Sequence, residues 1–414
     1  MFRRVFSLAL LLALVLSLAA SISAQQEEPV RVGIVTSQTG SHARFGEAQL
    51  RGYELALEAI NDAGGVLGRP LELVVLDDTS EPETAQLMVE RLITEEEVSI
   101  IIGAYSSSAT LPAVGVANDY EVPMVVPTAA TDAITEQGYE WVFRICAPSS
   151  VYASTMLDFL VEYGQIENIA IIYENTAFGS NTAEAAEAYA EELGIEVVAS
   201  EAYEAGSPDY RPVLTRVKDS NPEAIFFVSY LADATLLMQQ AEEIDLNVEA
   251  FAAGGAGFSL PDFPANAGPN AEFTLSVTQW TPDVAWPGSD DFTELFIERY
   301  EVEPQYHSAE TYAALFVVAD AIERAGTADD PEAIRDALRE TDMDTIFGPI
   351  RFDETGANAH PMLVTQVLNG LFVTVWPPDV ASIEPVYPAP SWEERDSFEY
   401  PEIGGVEEST DSGS

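Results

Sequence analysis

The feature that most constrains the fold is a repeated alternation of apolar runs and amphipathic helical stretches. Over residues 30–347, runs such as VRVGIV, LELVVLDD, VSIII, ENIAIIYE and PEAIFFVSY are separated by helical patterns. The first helical pattern, residues 45–60, places Leu50, Tyr53 and Ile60 on one face. Such alternation is typical of right-handed βαβ units in parallel sheets. Because it continues for longer than one sheet holds, we expect an α/β protein with two doubly wound parallel-sheet lobes.

The end of the chain departs from this alternation. Residues 347–378 predict short strands around turns, and residues 379–414 are rich in Pro, Glu and Ser. We predict that 379–414 form an acidic, poorly ordered tail.

The charge of the chain excludes one class of partner. Of its 414 residues, 17 are Lys or Arg and 70 are Asp or Glu, which gives a net charge of −53. A nucleic acid backbone would be repelled over the whole surface, so we expect no nucleic acid partner. The charge is interpreted as halophilic adaptation, since salt screens the repulsion. An acidic surface without halophily is the alternative.

The first residues predict export. The sequence MFRRVFSLALLLALVLSLAA has a basic start, an apolar core and small residues after it, which is typical of a signal peptide over residues 1–24. The pattern fits the general and the twin-arginine routes, and a retained anchor is a further possibility. No cysteine lies near the cleavage site, so we expect no lipoprotein. The mature chain is predicted to be soluble and periplasmic or extracellular, and Cys146, its only cysteine, forms no intrachain disulfide.

Motifs of catalysis are missing from the sequence. It contains no G-x-S-x-G, no G-x-x-x-x-G-K-[ST] and no H-E-x-x-H. His42, His307 and His360 have no metal-ligand neighbours at fixed spacing, and Cys146 is predicted to be a buried apolar residue. We therefore predict no enzyme activity, no metal and no cofactor.

Three consecutive serines follow a buried strand. Residues 98–102 form an apolar run that ends at Gly103, and Ser106, Ser107 and Ser108 precede a helical pattern. The serines thus lie at the carboxyl edge of the sheet, where open α/β sheets bind ligands. One serine is enough to cap the helix. The others either cap as well or face a ligand.

Seven segments, taken together and in this order, carry a resemblance: VGIVTSQTGSHARFGEAQLRGYELALEAINDAGG, SSSAT, VPTAAT, NTAFGS, SPDYRPVL, TYAALFVVADAIERAG and FGPIRFDETG. With these segments the sequence resembles, over residues 30–378, the periplasmic substrate-binding proteins of branched-chain amino acid ABC transporters. The resemblance implies a type I periplasmic binding fold, in which a three-strand hinge joins two lobes around a ligand cleft. The implied N-terminal lobe is 29–147 plus 279–355, and the C-terminal lobe is 148–278 plus 356–378.

The resemblance also implies ligand-binding residues. Ser107 matches a serine that binds the ligand carboxylate through its hydroxyl and N–H groups. Ala129, by its carbonyl, and Thr131 match residues that hold the substituents of the ligand α-carbon. Phe45, Phe178 and Tyr230 match aromatic residues that line the pocket. From the residues alone, the alternative is that Thr131 caps a helix and that the three aromatic side chains belong to the core.

One position departs from the family pattern. Amino acid binders of this family carry an acidic residue that pairs with the ligand ammonium, and the matching position here is about Gly255, in the loop FAAGGAGFS. A buried ammonium without a counter-charge is costly. Either another acid substitutes, with Glu174 and Asp233 as candidates, or the ligand is an amide, a urea-like molecule or a small carboxylate.

Two functions beside the main one remain open. The main hypothesis is a monomeric binding protein that captures a small amino acid, branched-chain or apolar, by hinge closure and delivers it to the permease subunits of an ABC importer. An extracellular ligand-sensing receptor domain would share the fold. A secreted α/β enzyme is disfavoured by the missing nucleophile and base.

Overall fold

The first part of the chain forms a five-stranded sheet in the structure, a computed structural model that describes residues 28–401. All neighbouring strands are parallel, in the order β2-β1-β3-β4-β5. These strands are β1 (Val30–Thr36), β2 (Leu71–Asp77), β3 (Ile101–Ile102), β4 (Met124–Val126) and β5 (Val142–Arg144). The helices between them are α1 (Ala43–Asp62), α2 (Pro82–Thr94), α3 (Ser107–Asp119) and α4 (Ala133–Glu136).

The second sheet has seven strands and a mixed edge. Its order is β14-β13-β10-β9-β8-β6-β7, and five of the strands come from the middle of the chain: β6 (Asn168–Glu174), β7 (Glu196–Tyr203), β8 (Ala224–Val228), β9 (Ala250–Ala253) and β10 (Leu275–Thr278). The helices of this part are α5 (Ser149–Phe159), which continues as a π-helical turn (Leu160–Gly164), α6 (Ala177–Leu193), α7 (Arg211–Asp219), α8 (Leu231–Glu243) and α9 (Asp262–Ala267). Short 3₁₀ turns cover Ala256–Ser259 and Gly268–Ala271.

After β10 the chain returns to the first sheet and then leaves it again. The returning segment contains α10 (Ser289–Tyr300), α11 (Tyr306–Ala325), α12 (Pro331–Arg339) and the antiparallel hairpin of β11 (Asp342–Thr345) and β12 (Gly348–Arg351). Its side chains share a core with β1, as Val317 and Ile322 pack in one cluster with Ile34. The chain then adds β13 (Leu363–Leu368) and β14 (Leu371–Trp376) to the second sheet.

The edge strands of the second sheet correct the expectation of a purely parallel sheet. β13 is antiparallel to β10, and β14 is antiparallel to β13. The short connection between them explains this, because only residues 369–370 join the two strands and parallel neighbours need a long crossover.

The two sheets have separate cores and define two lobes. Strand β8 is buried at every position, as expected for a central strand covered by helices on both faces. The chain passes between the sheets three times, after β5, after β10 and after β12. These three connections contact one another: Asn358 Nδ2 donates to the Ile145 carbonyl at 3.0 Å, and Ala147 N donates to Gln279 Oε1 at 2.5 Å. The predicted two-lobe α/β fold is confirmed.

The first part of the predicted tail, residues 379–401, packs against the second lobe, although the sequence predicts poor order there. Phe398 and Tyr400 place their rings 4.9 and 5.7 Å from that of Phe273 in the second lobe. Arg395, in α13 (Trp392–Arg395), lies 3.6 Å over the Trp392 ring and donates to the Glu272 carbonyl at 3.0 Å. Residues 379–401 therefore cover one end of the second lobe, because their few aromatic residues find an apolar surface there.

The ends of the chain lie outside the described residues. The predicted signal peptide, 1–24, and the last part of the predicted tail, 402–414, both belong to these ends. Within residues 28–401, no helix combines the length and the apolar character that crossing a membrane requires.

Candidate ligand cleft

A narrow cavity of about 20 Å³ lies between the lobes, at the carboxyl ends of the strands of both sheets. Its volume holds about one water molecule, so the two walls are closed on each other. It is lined from both lobes by Tyr105, Ser107, Thr128, Ala129, Ala130, Tyr152, Phe178, Tyr230, Ala256, Tyr306 and His307. A larger open groove of about 920 Å³ lies beside α1 and β2. That groove belongs to one lobe only, so lobe closure cannot enclose a ligand there.

The three serines of the turn have three different roles. Ser106 is the N-cap of α3, and its hydroxyl accepts a hydrogen bond from Ala109 N at 3.2 Å. Ser107 is the first residue of the helix, and its hydroxyl accepts from Thr131 N at 3.1 Å. Ser108 reaches the second lobe, where its hydroxyl accepts from Ala177 N at 3.3 Å. The cap is thus supplied by Ser106, and Ser107 is free of that role and faces the cavity.

A buried arginine holds the loop that carries Ala129 and Thr131. The Arg144 guanidinium is 1% exposed and donates to the Ala130 carbonyl at 3.1 Å and to the Thr131 carbonyl at 2.7 Å. The Cys146 thiol donates to the Ala129 carbonyl at 3.3 Å, and burial raises the pKa of that thiol. These bonds fix the loop next to Ser107. Ala129 lines the cavity, and Thr131 is buried beside it.

The aromatic residues that the sequence singled out lie at two depths. Phe178 and Tyr230 line the cavity from the second lobe, with ring centroids 5.8 Å apart. Phe45 does not line it. Its ring stacks behind Tyr105 at 4.7 Å and packs with Tyr105 and Leu260 in a small cluster that joins the lobes. The prediction that Phe45 lines the pocket is therefore wrong in this closed arrangement, because Tyr105 covers it.

Gly255 is a turn residue and does not line the cavity. It adopts φ 75°, ψ −141° at the end of β9, a conformation that favours glycine. A Cβ atom added there would lie 3.0 Å from Cε1 of Tyr152 and 3.2 Å from the Val277 carbonyl oxygen. A side chain at position 255 would therefore press against the ring of Tyr152. The neighbouring Ala256 lines the cavity instead.

The two acids considered as substitutes are both engaged. The oxygens of the buried Glu174 accept from the Thr176 hydroxyl at 2.7 Å and from Tyr230 N at 3.2 Å. Burial raises the pKa of the Glu174 carboxyl to about 8, although these bonds oppose the shift. Both oxygens of Asp233 accept from Gly206 N, at 3.2 and 3.0 Å. Neither acid lines the cavity.

A buried amide network joins the lobes beside the cavity. Gln279 Nε2 donates to the Tyr152 hydroxyl at 2.6 Å and to Glu310 Oε1 at 2.8 Å. Gln279 Oε1 accepts from Ala147 N, so every polar group of this amide has a partner. Burial raises the pKa of the Glu310 carboxyl well above its usual value. The network connects all of these groups to Tyr152 on the cavity wall.

An ion pair closes the mouth of the cleft. Arg44 Nε, in α1, donates to the two carboxylate oxygens of Asp262, in α9, at 3.0 and 3.1 Å. A hydrogen bond also joins the lobes, as Asp132 N donates to Asn181 Oδ1 at 2.9 Å. Within residues 28–401, His, Cys, Asp and Glu side chains form no group of three or more that could hold a metal ion.

The comparisons with known proteins agree with this geometry. A family model described as periplasmic binding protein matches residues 29–370. The chain belongs to this family.

Individual members of the periplasmic binding protein family cover most of this chain. A leucine-, isoleucine-, valine-, threonine- and alanine-binding protein of Pseudomonas aeruginosa is 28% identical over 80% of this chain and 87% of that protein. The crystal structure of a leucine-binding protein from Thermotoga maritima is 28% identical, covers 84% of this chain and 99% of its own, and has a TM-score of 0.79. A branched-chain amino acid transporter substrate-binding protein of Streptococcus pneumoniae, solved with isoleucine, is 25% identical over 83% and 98% of the chains, with a TM-score of 0.77.

Seven cavity residues of this periplasmic binding protein were not predicted as site residues from the sequence. Three of them are direct neighbours of predicted positions (Thr128, Ala130 and Ala256), and the other four carry rings (Tyr105, Tyr152, Tyr306 and His307). Tyr105 directly precedes the serine turn, so its position at the sheet edge was a usable signal. Tyr152 lies in the first turn of α5, after a crossing, and Tyr306 and His307 come from α11, far along the chain. No local pattern marks these three residues. Burial lowers the pKa of His307 to about 3, so its imidazole is neutral near neutral pH.

Proposed function

We propose that this chain is an extracytoplasmic solute-binding protein that captures a small amino acid, branched-chain or apolar, and delivers it to an ABC importer. The observation that carries the proposal is the pairing of Ser107, at the start of α3, with Thr131 on one wall, opposite Phe178 and Tyr230 on the other. Amino acid-binding relatives of similar length support the ligand class.

The first-lobe wall suits a carboxylate. The first N–H groups of α3 lack partners within the helix and carry the positive end of its dipole, which favours an anion. The Ser107 hydroxyl adds a donor at the same place. The loop of Ala129 and Thr131, held by Arg144, offers a carbonyl and a hydroxyl for the groups on the α-carbon.

The second-lobe wall suits an apolar side chain. Phe178 and Tyr230 offer rings with few polar groups, as is common in small-molecule sites. Because the closed cavity measures only about 20 Å³, a ligand of leucine size enters when the lobes separate. The ligand then favours a closed state, in which the walls lie further apart than they do here, by contacts that both walls make together.

A second ligand class has its own supporting observation. None of the residues that line the cavity is acidic. A ligand without an ammonium group, such as a small carboxylate, an amide or a urea-like molecule, needs no counter-charge. It is the alternative to the amino acid.

Calorimetric titration of the exported chain with leucine, leucine amide and the deaminated acid of leucine tests the proposal. We expect leucine to bind near micromolar strength, with a fluorescence change of the tryptophans and no product detected by mass spectrometry. Binding of the deaminated acid or the amide alone would favour the second ligand class. Turnover of any ligand would contradict a binding function.

Export, partners and domain boundaries are further parts of the proposal. The signal pattern of residues 1–24 supports export to the periplasm or the exterior without a lipid anchor. Membrane permease subunits are the proposed partners of a monomer without enzyme activity, and a sensing receptor domain is the alternative. We propose lobe boundaries at 29–147 plus 279–355 and 148–278 plus 356–378, which fall close to the three connections.

The charge of −53 supports a halophilic habitat. Repulsion among acidic groups destabilises the compact state when little salt is present. We expect the melting temperature to rise steadily between low and molar NaCl. A melting temperature that stays constant or falls as NaCl increases would mean that a halophilic habitat does not explain the charge.

A further inference from the structure

A buried carboxyl group with an open oxygen lies beside the cleft. Glu310 is 0% exposed, and its Oε2 has no hydrogen-bond partner among the described residues. In α11 it follows Tyr306 by four residues and His307 by three, so it lies on the helix face that these two cavity residues share. An unpartnered buried oxygen is costly and needs an explanation.

Glu310 is connected to the cavity wall by one side chain. Gln279 Nε2 donates to Glu310 Oε1 at 2.8 Å and to the Tyr152 hydroxyl at 2.6 Å. The Gln279 carbonyl oxygen is held by Ala147 N, which fixes the amide group with its nitrogen toward Glu310 and Tyr152. The hydroxyl of Tyr152 therefore lies between the carboxyl group and the cavity.

The other acids near the cleft are less suited to face a ligand. Position 255 is a glycine and offers no carboxyl group, and a Cβ atom there would lie only 3.0 Å from the Tyr152 ring. Both oxygens of Glu174 and both of Asp233 are already hydrogen-bonded. Of the three buried acids compared, Glu310 alone has an oxygen without a partner.

We propose that Glu310 balances the ammonium group of a zwitterionic ligand and so determines the preference for an α-amino acid over the corresponding carboxylic acid. The inference rests on the proposed solute-binding function. Glu310 acts through the short Gln279–Tyr152 connection and need not touch the ligand, because charges interact strongly where water is excluded.

Among residues 28–401, no group around Glu310 competes strongly with a ligand ammonium for the charge of this carboxyl group. Burial raises the pKa of Tyr53, and the charge of Glu310 raises it further. The same two causes, together with others, raise the pKa values of Tyr105, Tyr152 and Tyr306. The titratable groups whose pKa the charge of Glu310 affects are Tyr53 of α1, Tyr105 before α3, Cys146 after β5, Tyr152 of α5 and Tyr306 of α11. None of these is a cation, and Arg144 of β5, which acts on Cys146 and Tyr152, is committed to the carbonyls of Ala130 and Thr131.

This environment predicts that ligand binding is coupled to a proton. Burial raises the pKa of Glu310 well above its usual value, which favours the protonated form of this carboxyl group in the free protein. A ligand ammonium in the cavity stabilises the ionised form, and the proton is released on binding. Leucine affinity therefore rises with pH until it passes the pKa of Glu310 in the free protein, whereas the affinity for the deaminated acid does not rise.

Titration calorimetry of the full exported chain with leucine and with its deaminated acid, in buffers of different ionisation enthalpy, tests this. For Glu310→Gln, which keeps the size and a polar group but removes the charge, we expect leucine affinity to fall about tenfold or more. The affinity for the deaminated acid should stay unchanged or rise. The wild type should release up to about one proton per leucine, and the variant none.

Two matched variants separate the outcomes. Glu272→Gln changes a largely buried carboxyl group under the C-terminal segment, away from the cleft, and should alter neither affinity. Glu174→Gln tests the competing acid, and a selective loss of leucine there would transfer the role to Glu174 and overturn the proposal. An equal loss of both ligands in Glu310→Gln would also overturn it, since that is the result of a merely structural role.

Failure of the inference can be told from failure of the proposed function. If wild-type protein binds leucine but Glu310→Gln binds it equally well, only the role of Glu310 is wrong. If the wild type binds the deaminated acid and not leucine, the proposed amino acid specificity and the proposed role of Glu310 are both wrong. If the Glu310→Gln variant does not fold, the number of protons that the wild type releases per bound leucine decides the question. Binding of leucine without proton release would overturn the proposal.

Discussion

The two walls of the cleft are built from different chemistry. The first-lobe wall presents a helix N-terminus, the Ser107 hydroxyl and a loop fixed by Arg144, all held by hydrogen bonds. The second-lobe wall presents the rings of Phe178 and Tyr230, held by packing. Hydrogen bonds need defined distances and angles, whereas apolar contact tolerates small shifts. The first wall is therefore suited to orient the ligand, and the second to close over it.

The largest effect should come from removing the polar groups of the first wall. Charge-assisted hydrogen bonds contribute about 1.5–3 kcal/mol each, so Ser107→Ala combined with Thr131→Ala should lower ligand affinity by about two decades or more. Calorimetric titration measures this, and circular dichroism should show an intact fold.

The neighbouring serine provides the control for that variant. Ser106→Ala removes the α3 cap and should cost about 1 kcal/mol of stability without a comparable loss of affinity. If the double variant binds as tightly as the wild type, the polar wall does not hold the ligand.

A smaller loss is expected on the aromatic wall. Phe178→Ala removes apolar contact from one side of the ligand, and we expect affinity to fall by about tenfold. The effect should appear mainly in the dissociation rate, because this wall closes after the ligand is seated. Stopped-flow tryptophan fluorescence measures both rates.

Another phenylalanine of the same lobe controls for lost packing. Phe159 is buried in the same core cluster but does not line the cavity. Phe159→Ala should lower the melting temperature and leave the dissociation rate near that of the wild type. Equal dissociation rates in the two variants would show that the aromatic wall contributes only to the core.

The smallest effect is expected at the mouth of the cleft. Arg44 pairs with Asp262 across the cleft, and exposed ion pairs contribute about 0.2–1 kcal/mol. Arg44→Gln should weaken ligand binding by about two- to fivefold at low salt, and less as NaCl screens the pair.

Arg51 offers the matched control at this position. It pairs with Glu47 on its own helix and, among residues 28–401, makes no ion pair across the cleft. Arg51→Gln should leave affinity unchanged at every salt concentration. Equal effects of the two variants would mean that net charge, and not the cross-cleft pair, changes binding.

Several features of the cleft could be predicted from local patterns. The apolar run before Gly103 and the helical pattern after Ala109 place the serines at a sheet edge, and the structure puts Ser107 there. The resemblance added Ala129, Thr131, Phe178 and Tyr230, which lie on or beside the cavity. Their binding roles stay predictions.

Other features depended on contacts that no local pattern reports. Phe45 is covered by Tyr105, and Gly255 lies against the ring of Tyr152 and does not line the cavity. Residues 379–401 look like a polar tail in composition. They are nevertheless anchored by Arg395, Phe398 and Tyr400, because the second lobe exposes an apolar surface that only the folded sheet creates.

The sequence by itself determined the alternation of strands and helices, the two-lobe class and the strong negative charge. These properties follow from local periodicity and from simple sums over residues. Only the tertiary structure decided that Gln279 joins Tyr152, 127 positions away, to Glu310 beside the cavity. The reason is geometric: the three connections between the lobes set which distant side chains meet, and a buried charge acts only on the groups that the fold places near it.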